Sequence, residues 1–239
     1  MSIIVLFLAV VAAIAFWWLS RQRLAALPWL EVGLSAEFPR TQASRLPPAK
    51  IGLGVFLAVA CCLFALLSSA YLMRTGALVS DLAAGVRLVP PPLLWVNTAM
   101  LAASSVALQC AFVSARRGHR DLLLGNLAAS CVASLAFVAG QFLAWSILAR
   151  GGHPIGSGQA NDFFYLLTGA HALHVLGGTA VLGVTFGKAL GEAEPARIRL
   201  TVELCATYWH FLLLVWLALL GLLTGGVDAI GSLCRTLIT

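Results

Sequence analysis

Six runs of apolar residues, separated by polar stretches rich in arginine, proline or glycine, set the pattern of this chain. The first, Ile3 to Leu19, carries no charge and is followed by Arg21 and Arg23. The others cover Lys50–Met73, Pro92–Ser114, Leu122–Leu148, Asn161–Lys188 and Val202–Thr224. A helix needs about 20 apolar residues to cross a hydrocarbon core roughly 30 Å thick. Five runs meet that length, and the first lies at the short end of the range. A signal peptide would carry a basic start and a small-residue cleavage site. Nothing basic precedes Ile3, so the first run reads as a retained helix. The pattern predicts an all-α integral membrane protein with six transmembrane helices. Residues 1–49 form an N-terminal helix and a polar loop with Pro28, Pro39, Pro47 and Pro48; residues 50–239 form a five-helix domain.

The charges support that reading. A six-helix topology places Arg21, Arg23, Arg40, Arg45, Lys50, Arg116, Arg117, Arg120, Lys188, Arg197 and Arg199 on one side, eleven in all. The other side holds four: Arg74, Arg87, Arg150 and Arg235. Short cytoplasmic loops carry the excess of Lys and Arg. Both termini are therefore expected on the outer side, and the turn Arg116–Arg120 in the cytoplasm.

Of the 239 residues, 61% are hydrophobic and 10% charged, with a mean hydropathy of +0.96. A soluble domain would carry about 25% charge. The net charge of +6 raises nucleic-acid binding as a reading. The basic residues sit in loops between apolar runs, where they act as topology signals, so no nucleic-acid partner is expected. Six cysteines form no Cys-x-x-Cys pair, and five lie inside apolar runs. They read as small buried side chains, not as a zinc site or disulfide framework.

The polar residues inside the runs carry the candidate chemistry. His171 and His174 stand near the middle of Asn161–Lys188, at i,i+3 on one helix face. Thr179, Gly183 and Gly187 recur every fourth residue on the same run, a spacing that lets a second helix approach closely. A later stretch answers it with Glu203, Thr207 and His210 at i, i+4 and i+7. Imidazole at membrane depth faces protein, water or a lipid headgroup rather than acyl chains. The two stretches are therefore expected to bury polar groups against each other or a headgroup. Asn97, Thr98, Ser104, Ser105 and Gln141 are expected to make interhelical hydrogen bonds. Imidazole and carboxylate are also ordinary metal ligands, and bis-imidazole haem ligation between the last two helices is a competing reading. No nucleophile elbow, P-loop, dinucleotide fingerprint or His-Glu-x-x-His occurs. No catalytic, cofactor-binding or metal residue is assigned.

Three stretches together resemble subunit III of the haem-copper oxidases, of the cytochrome c or quinol oxidase type. Pro90–Ser105, PPPLLWVNTAMLAASS, is similar to a family stretch with Trp-x-Asn-Thr and Ser-Ser, here Trp95, Asn97, Thr98, Ser104 and Ser105. Leu167–Gly178, LTGAHALHVLGG, resembles the family's His-x-x-His-Val signature. Glu203 followed by Tyr208, Trp209, His210 and Phe211 resembles its Glu-x4-Tyr-Trp-His-Phe, with Trp216 beyond. The resemblance covers about residues 50–226. Three family acids are missing: their places fall on Ala60, on Ala144 three residues after Gln141, and on Leu212 just after Tyr208–Phe211. One helix precedes the five-helix part, where classical members have seven helices or five.

The resemblance implies an accessory subunit in aerobic respiratory electron transport that supports proton uptake, stability and lipid binding. It implies no cofactor in this chain, with haem and copper in a partner, catalytic subunit I. The other expected partners are further oxidase subunits and phospholipid, and the expected location is a bacterial cytoplasmic membrane. Tyr208, Trp209, His171, His174, Glu203 and His210 would form a structural or headgroup network; Trp95, Asn97, Thr179, Gly183 and Gly187 would pack helices. The alternatives are an accessory subunit of nitric oxide reductase and a stand-alone haem- or metal-binding membrane protein.

Overall fold

The computed structural model describes residues 47–75, 91–191 and 195–223. Within them lie five helices: α1 Pro48–Thr75, α2 Pro91–Arg117, α3 Arg120–Arg150, α4 Gln159–Leu190 and α5 Pro195–Leu223. All five are long and apolar enough to cross a membrane, so the protein is a multi-pass membrane protein. The run Ile3–Leu19, expected to be a sixth helix, lies outside the described residues.

Each helix extends past its apolar run at one end or both. Hydropathy marks only the part buried in hydrocarbon, whereas backbone hydrogen bonds continue into the wet interface. The largest difference is at α5. The apolar runs leave a polar stretch between Lys188 and Val202, but the helix starts at Pro195. Proline suits a first helical position, because its missing N–H is one that no helix satisfies there and its φ is already helical. Arg197 and Arg199 are exposed on these first turns.

The α2–α3 and α3–α4 connections are short because the sequence places glycine where the chain must reverse. Gly118 has φ +75, a left-handed conformation that costs little only without a Cβ. It lets the His119 N–H reach the Ser114 carbonyl at 3.1 Å, closing α2 in the manner of a Schellman cap. Three residues on from Gly118, the Asp121 side chain stands in the first turn of α3, where the helix dipole favours negative charge. Arg120 donates to the carbonyls of Leu190 at 2.9 Å and Gly191 at 3.2 Å. That places a cation on the negative end of α4. It also gathers the α2–α3 turn and the end of α4 at one end of the bundle. Between α3 and α4, Gly156 has φ +87 and its N–H donates to Asp162 at 2.6 Å.

The chain divides into two compact units, Met1–Ala65 and Leu66–Thr239, with the boundary inside α1. In the second unit α2 packs on α3 and α5, and α4 packs on the same two, so the four helices close a ring. Each buries one stripe at three- and four-residue spacing. On α2 this is Asn97, Leu101, Ser104, Leu108 and Ala111; on α5 it is Val202, Cys205, Trp209, Leu212, Trp216 and Leu219. The opposite faces expose large apolar side chains such as Val132, Leu173 and Val184. That is the reverse of a soluble bundle and the ordinary state of helices solvated by lipid.

Close approach depends on two glycines. A Cβ on Gly140 of α3 would collide with Asn97 Oδ1 on α2. One on Gly178 of α4 would stand 2.6 Å from the Tyr208 ring and 2.8 Å from that of Trp209 on α5. Gly183 and Gly187 are exposed, and added Cβ atoms there would meet nothing within 4 Å. The helix packing expected of Gly183 and Gly187 is therefore not packing within the described part of this chain. The same holds for Trp95, which is 68% exposed. The physical reason is rotational: these residues sit on faces of α2 and α4 turned away from their neighbours. Thr179 is half-buried and donates to its own helix at Val175 O, 2.8 Å. Gly178→Ala should lower detergent stability by about 1–3 kcal/mol, the usual cost of overpacking. Gly183→Ala and Gly187→Ala, with open space before them, should leave it level or raise it, since alanine is the better helix former. Thermal unfolding of the three variants in one detergent checks the contrast.

Candidate functional site

The centre of the ring is a cluster contributed by all four helices. His171 of α4 is fully buried, and its Nε2 lies 3.0 Å from the carbonyl oxygen of Leu212 on α5. A carbonyl only accepts, so Nε2 carries the proton. The imidazole ring stands edge-on to Phe137 of α3, with centroids 5.6 Å apart, and lies 5.2 Å from the ring of Trp216 on α5. Phe137 and Trp216 are also edge-on, at 5.0 Å and 89°. Edge-to-face rings at this distance gain about 0.5–1.5 kcal/mol beyond the area they bury. Trp216 Nε1–H donates to Thr98 Oγ of α2 at 3.0 Å, and the Thr98 hydroxyl donates on to Leu94 O at 2.8 Å. Every polar hydrogen in that relay has an acceptor. This matters in a medium where an unsatisfied group costs several kcal/mol.

The other expected site residues go to separate places. His174 is half-buried, and its Nδ1 is bonded to Ala170 O of its own helix at 2.7 Å. Its backbone carbonyl accepts from the Tyr208 hydroxyl at 2.9 Å, so Tyr208 bridges α5 to α4. Trp209 is fully buried against Gly178. His210 turns to α2, where its Nδ1 lies 2.5 Å from Ser105 Oγ and its Nε2 lies 3.2 Å from Gln109 Oε1. Glu203 is part-buried two helical turns before His210, and its backbone carbonyl accepts from Thr207 at 3.0 Å. The structure thus joins the two stretches through His171 with Leu212 and through Tyr208 with His174. His210 bonds to Ser105 and Gln109 of α2. Among the described residues, no group of three or more His, Cys, Asp or Glu could hold a metal ion.

The polar residues of α2 and α3 divide in the same way. Ser104 and Ser130 form a reciprocal pair, with hydroxyls 2.8 Å apart and each hydroxyl 3.1 Å from the other residue's carbonyl. Thr98 and Ser105 bond across to α5. Gln141 corrects the expectation. It is 1% exposed, yet neither end of its amide has a hydrogen-bond partner among the described residues. The residues of α3 buried beside it along the helix are Phe137, Val138, Ala144 and Leu148. Ala144, on the next turn, is fully buried. Asn97 Nδ2 likewise has no hydrogen-bond partner among the described residues, while the Asn97 side chain fills the space in front of Gly140. Nearer the end of α3, Trp145 Nε1–H donates to Thr168 of α4 at 3.0 Å and Tyr165 OH donates to His153 O at 3.2 Å. Two amphipathic rings beside a polar loop suit a membrane interface.

Sequence reasoning missed Phe137, Gln109 and Gly140. Gln109 carried a usable signal, since it lies four residues after Ser105 and so shares its face of α2. Phe137 and Gly140 carried none, being ordinary residues in an apolar run.

The arrangement holds helices together, and its chemistry is that of hydrogen bonds between them. The Trp216–Thr98 bond should behave as an interhelical bond in lipid. Trp216→Phe and Thr98→Val, combined in a double-mutant cycle of unfolding in detergent, should give a coupling near the membrane-protein average of about 0.6 kcal/mol.

Residues 46–223 match the family described as Cytochrome c oxidase subunit III. A curated relative named cytochrome c oxidase subunit 3, from Trichophyton rubrum, is 33% identical over 138 residues, covering 56% of this chain and 49% of the relative. A protein of Mycobacterium tuberculosis named probable cytochrome c oxidase subunit 3 is 33% identical over 138 residues, covering 54% of this chain and 68% of the relative. A cytochrome c oxidase subunit 3 of Cyprinus carpio is 33% identical over 128 residues, covering 54% and 47%. The matches thus span about half the length of the fungal and fish relatives and about two thirds of the mycobacterial one.

Proposed function

The chain belongs to the cytochrome c oxidase subunit III family, and from that premise we propose that it is the accessory subunit of a haem-copper terminal oxidase in aerobic respiration. It packs beside a large catalytic subunit, subunit I, that carries the haems and copper, and with the other subunits of the complex. Its contribution is to support proton uptake, durability and assembly, and it holds phospholipid. One observation carries this reading: the family match runs from residue 46 to 223, through all five described helices. The side chains agree with it. His171 Nε2 is committed to Leu212, His174 Nδ1 to Ala170, and both ring nitrogens of His210 to Ser105 and Gln109. Two of these imidazoles, His171 and His210, tie α5 to its neighbours, while His174 is held by its own helix. The place of each group is structural, and the electron chemistry belongs to the partner.

The membrane is a bacterial cytoplasmic membrane, with both termini on its outer face. The eleven-to-four division of basic residues supports that orientation. So does the gathering of the α2–α3 turn and the end of α4 at one end through Arg120.

Two measurements test these proposals. Purified in mild detergent, the tagged chain should bring with it a large subunit showing haem absorbance. Without the chain, the complex should start at a normal rate and lose turnover during sustained catalysis. Isolation of the chain with no haem-bearing partner, from cells that express the oxidase, would refute the assignment. For orientation, a cysteine at exposed His119 should resist a membrane-impermeant thiol reagent in intact cells and react in inverted vesicles. Labelling from outside reverses the topology.

A further inference from the structure

His210 is exposed on the surface of α5, yet it lies 15 residues from Pro195 and 13 from Leu223. At about 1.5 Å per residue, the imidazole stands roughly 20 Å from either helix end. Half of a hydrocarbon core is about 15 Å. The group is therefore near the bilayer centre, beyond the reach of water and of lipid headgroups. An imidazole at that depth facing acyl chains is costly, and such groups normally face protein or an internal cavity.

The hydrogen bonds around it have a direction. With Gln109 Oε1 as acceptor, His210 Nε2 is the donor. Nδ1 is then the acceptor, and the Ser105 hydroxyl donates to it. The relay runs Ser105 to His210 to Gln109 and ends on the Gln109 amide nitrogen. Gln109 is exposed, and its NH2 group donates to nothing among the described residues. The open end of the relay is thus a donor inside the hydrocarbon, eight residues or about 12 Å from the Arg117 end of α2. Exposed apolar side chains flank it along both helices. Val106 and Val113 lie on α2, and Leu214 and Leu217 lie on α5, at helical spacing from Gln109 and His210. Two neighbouring helices so present a shallow apolar seam with a polar centre.

We propose that this α2–α5 seam is the docking face for a transmembrane helix of a partner subunit, which presents a hydrogen-bond acceptor to Gln109 within the hydrocarbon core. The inference rests on the reading of this chain as an accessory subunit, and adds which face meets the partner and with what chemistry. Depth decides against a phospholipid occupant, because its acceptors lie at the interface. The acceptor is a side-chain carboxylate, amide or hydroxyl, or a carbonyl freed at a broken helix. The seam supplies apolar packing on both sides and the bond fixes the register.

A photo-crosslinking residue placed at Val106 or Leu214, in the full chain in native membranes, tests the proposal. Both positions should capture a transmembrane segment of another subunit, while the same probe at Val184, exposed on α4, should capture it far less. Capture only of lipid, of this chain's own residues 1–46 or of a second copy would overturn the proposal. Gln109→Leu removes the donor and should lower retention of the chain in the complex about threefold, the loss of one ordinary interhelical hydrogen bond. Gln109→Asn should restore part of it. If the position faces lipid instead, Gln109→Leu leaves retention unchanged, and the seam is not an interface. The two readings fail separately. A chain that purifies with a haem-bearing subunit but gives no crosslink at Val106 sinks the seam alone. A chain that crosslinks at Val106 to a membrane protein without haem sinks the oxidase assignment alone.

Discussion

Helices in lipid gain nothing from hiding apolar surface against each other, because acyl chains are as apolar as leucine. A bundle in the membrane therefore depends on a few close contacts and a few hydrogen bonds. Here the central one is the relay from Trp216 through Thr98 to Leu94, with His171 and Phe137 packed on the same indole. It draws on α2, α3, α4 and α5 at once. The Gly178 gap admits Tyr208 and Trp209, and the Ser104–Ser130 pair locks α2 to α3. Around that centre the remaining contacts are apolar stripes that fill space.

The same constraint accounts for what the polar residues do. Thr98, Thr168, Thr179, Thr185 and Thr207 all donate to a carbonyl on the preceding turn of their own helix. A hydroxyl bonded in that way is satisfied inside its own helix, and its oxygen still accepts from a neighbour, as Thr98 and Thr168 do from two indoles. Histidine works by the same logic at His171, His174 and His210. A polar group of this kind is compatible with hydrocarbon only when its partner is fixed, so the partners determine which helix faces which.

How much of this was legible in the sequence follows from what each level of structure depends on. The helices were legible because hydropathy over 20 residues is a property of the chain alone, and the turn at Gly118 was legible as glycine amid basic residues. The start of α5 was not, because a polar turn beyond the hydrocarbon obeys capping and not hydropathy; Pro195 was the signal for it. The polar residues were recognised by type, but their partners depend on how far each helix rotates about its axis. His171 and His174 lie about 60° apart on a helical wheel, since three residues turn a helix by about 300°. That difference sends one to the buried centre and leaves the other at the margin, bonded to Ala170. Gly178 and Gly183 differ in the same way: both fit a small-residue spacing, and only the first meets a neighbour in this chain.

Membership of the cytochrome c oxidase subunit III family and a core spent on helix contacts support one central proposal, that this chain supports an oxidase whose cofactors lie elsewhere. The most direct test is the haem and copper content per catalytic subunit, by absorbance and metal analysis, in complexes isolated with and without this chain. The account predicts equal haem and copper per catalytic subunit in the two preparations. A stoichiometric loss of haem or copper, with the catalytic subunit still folded and present, would contradict it.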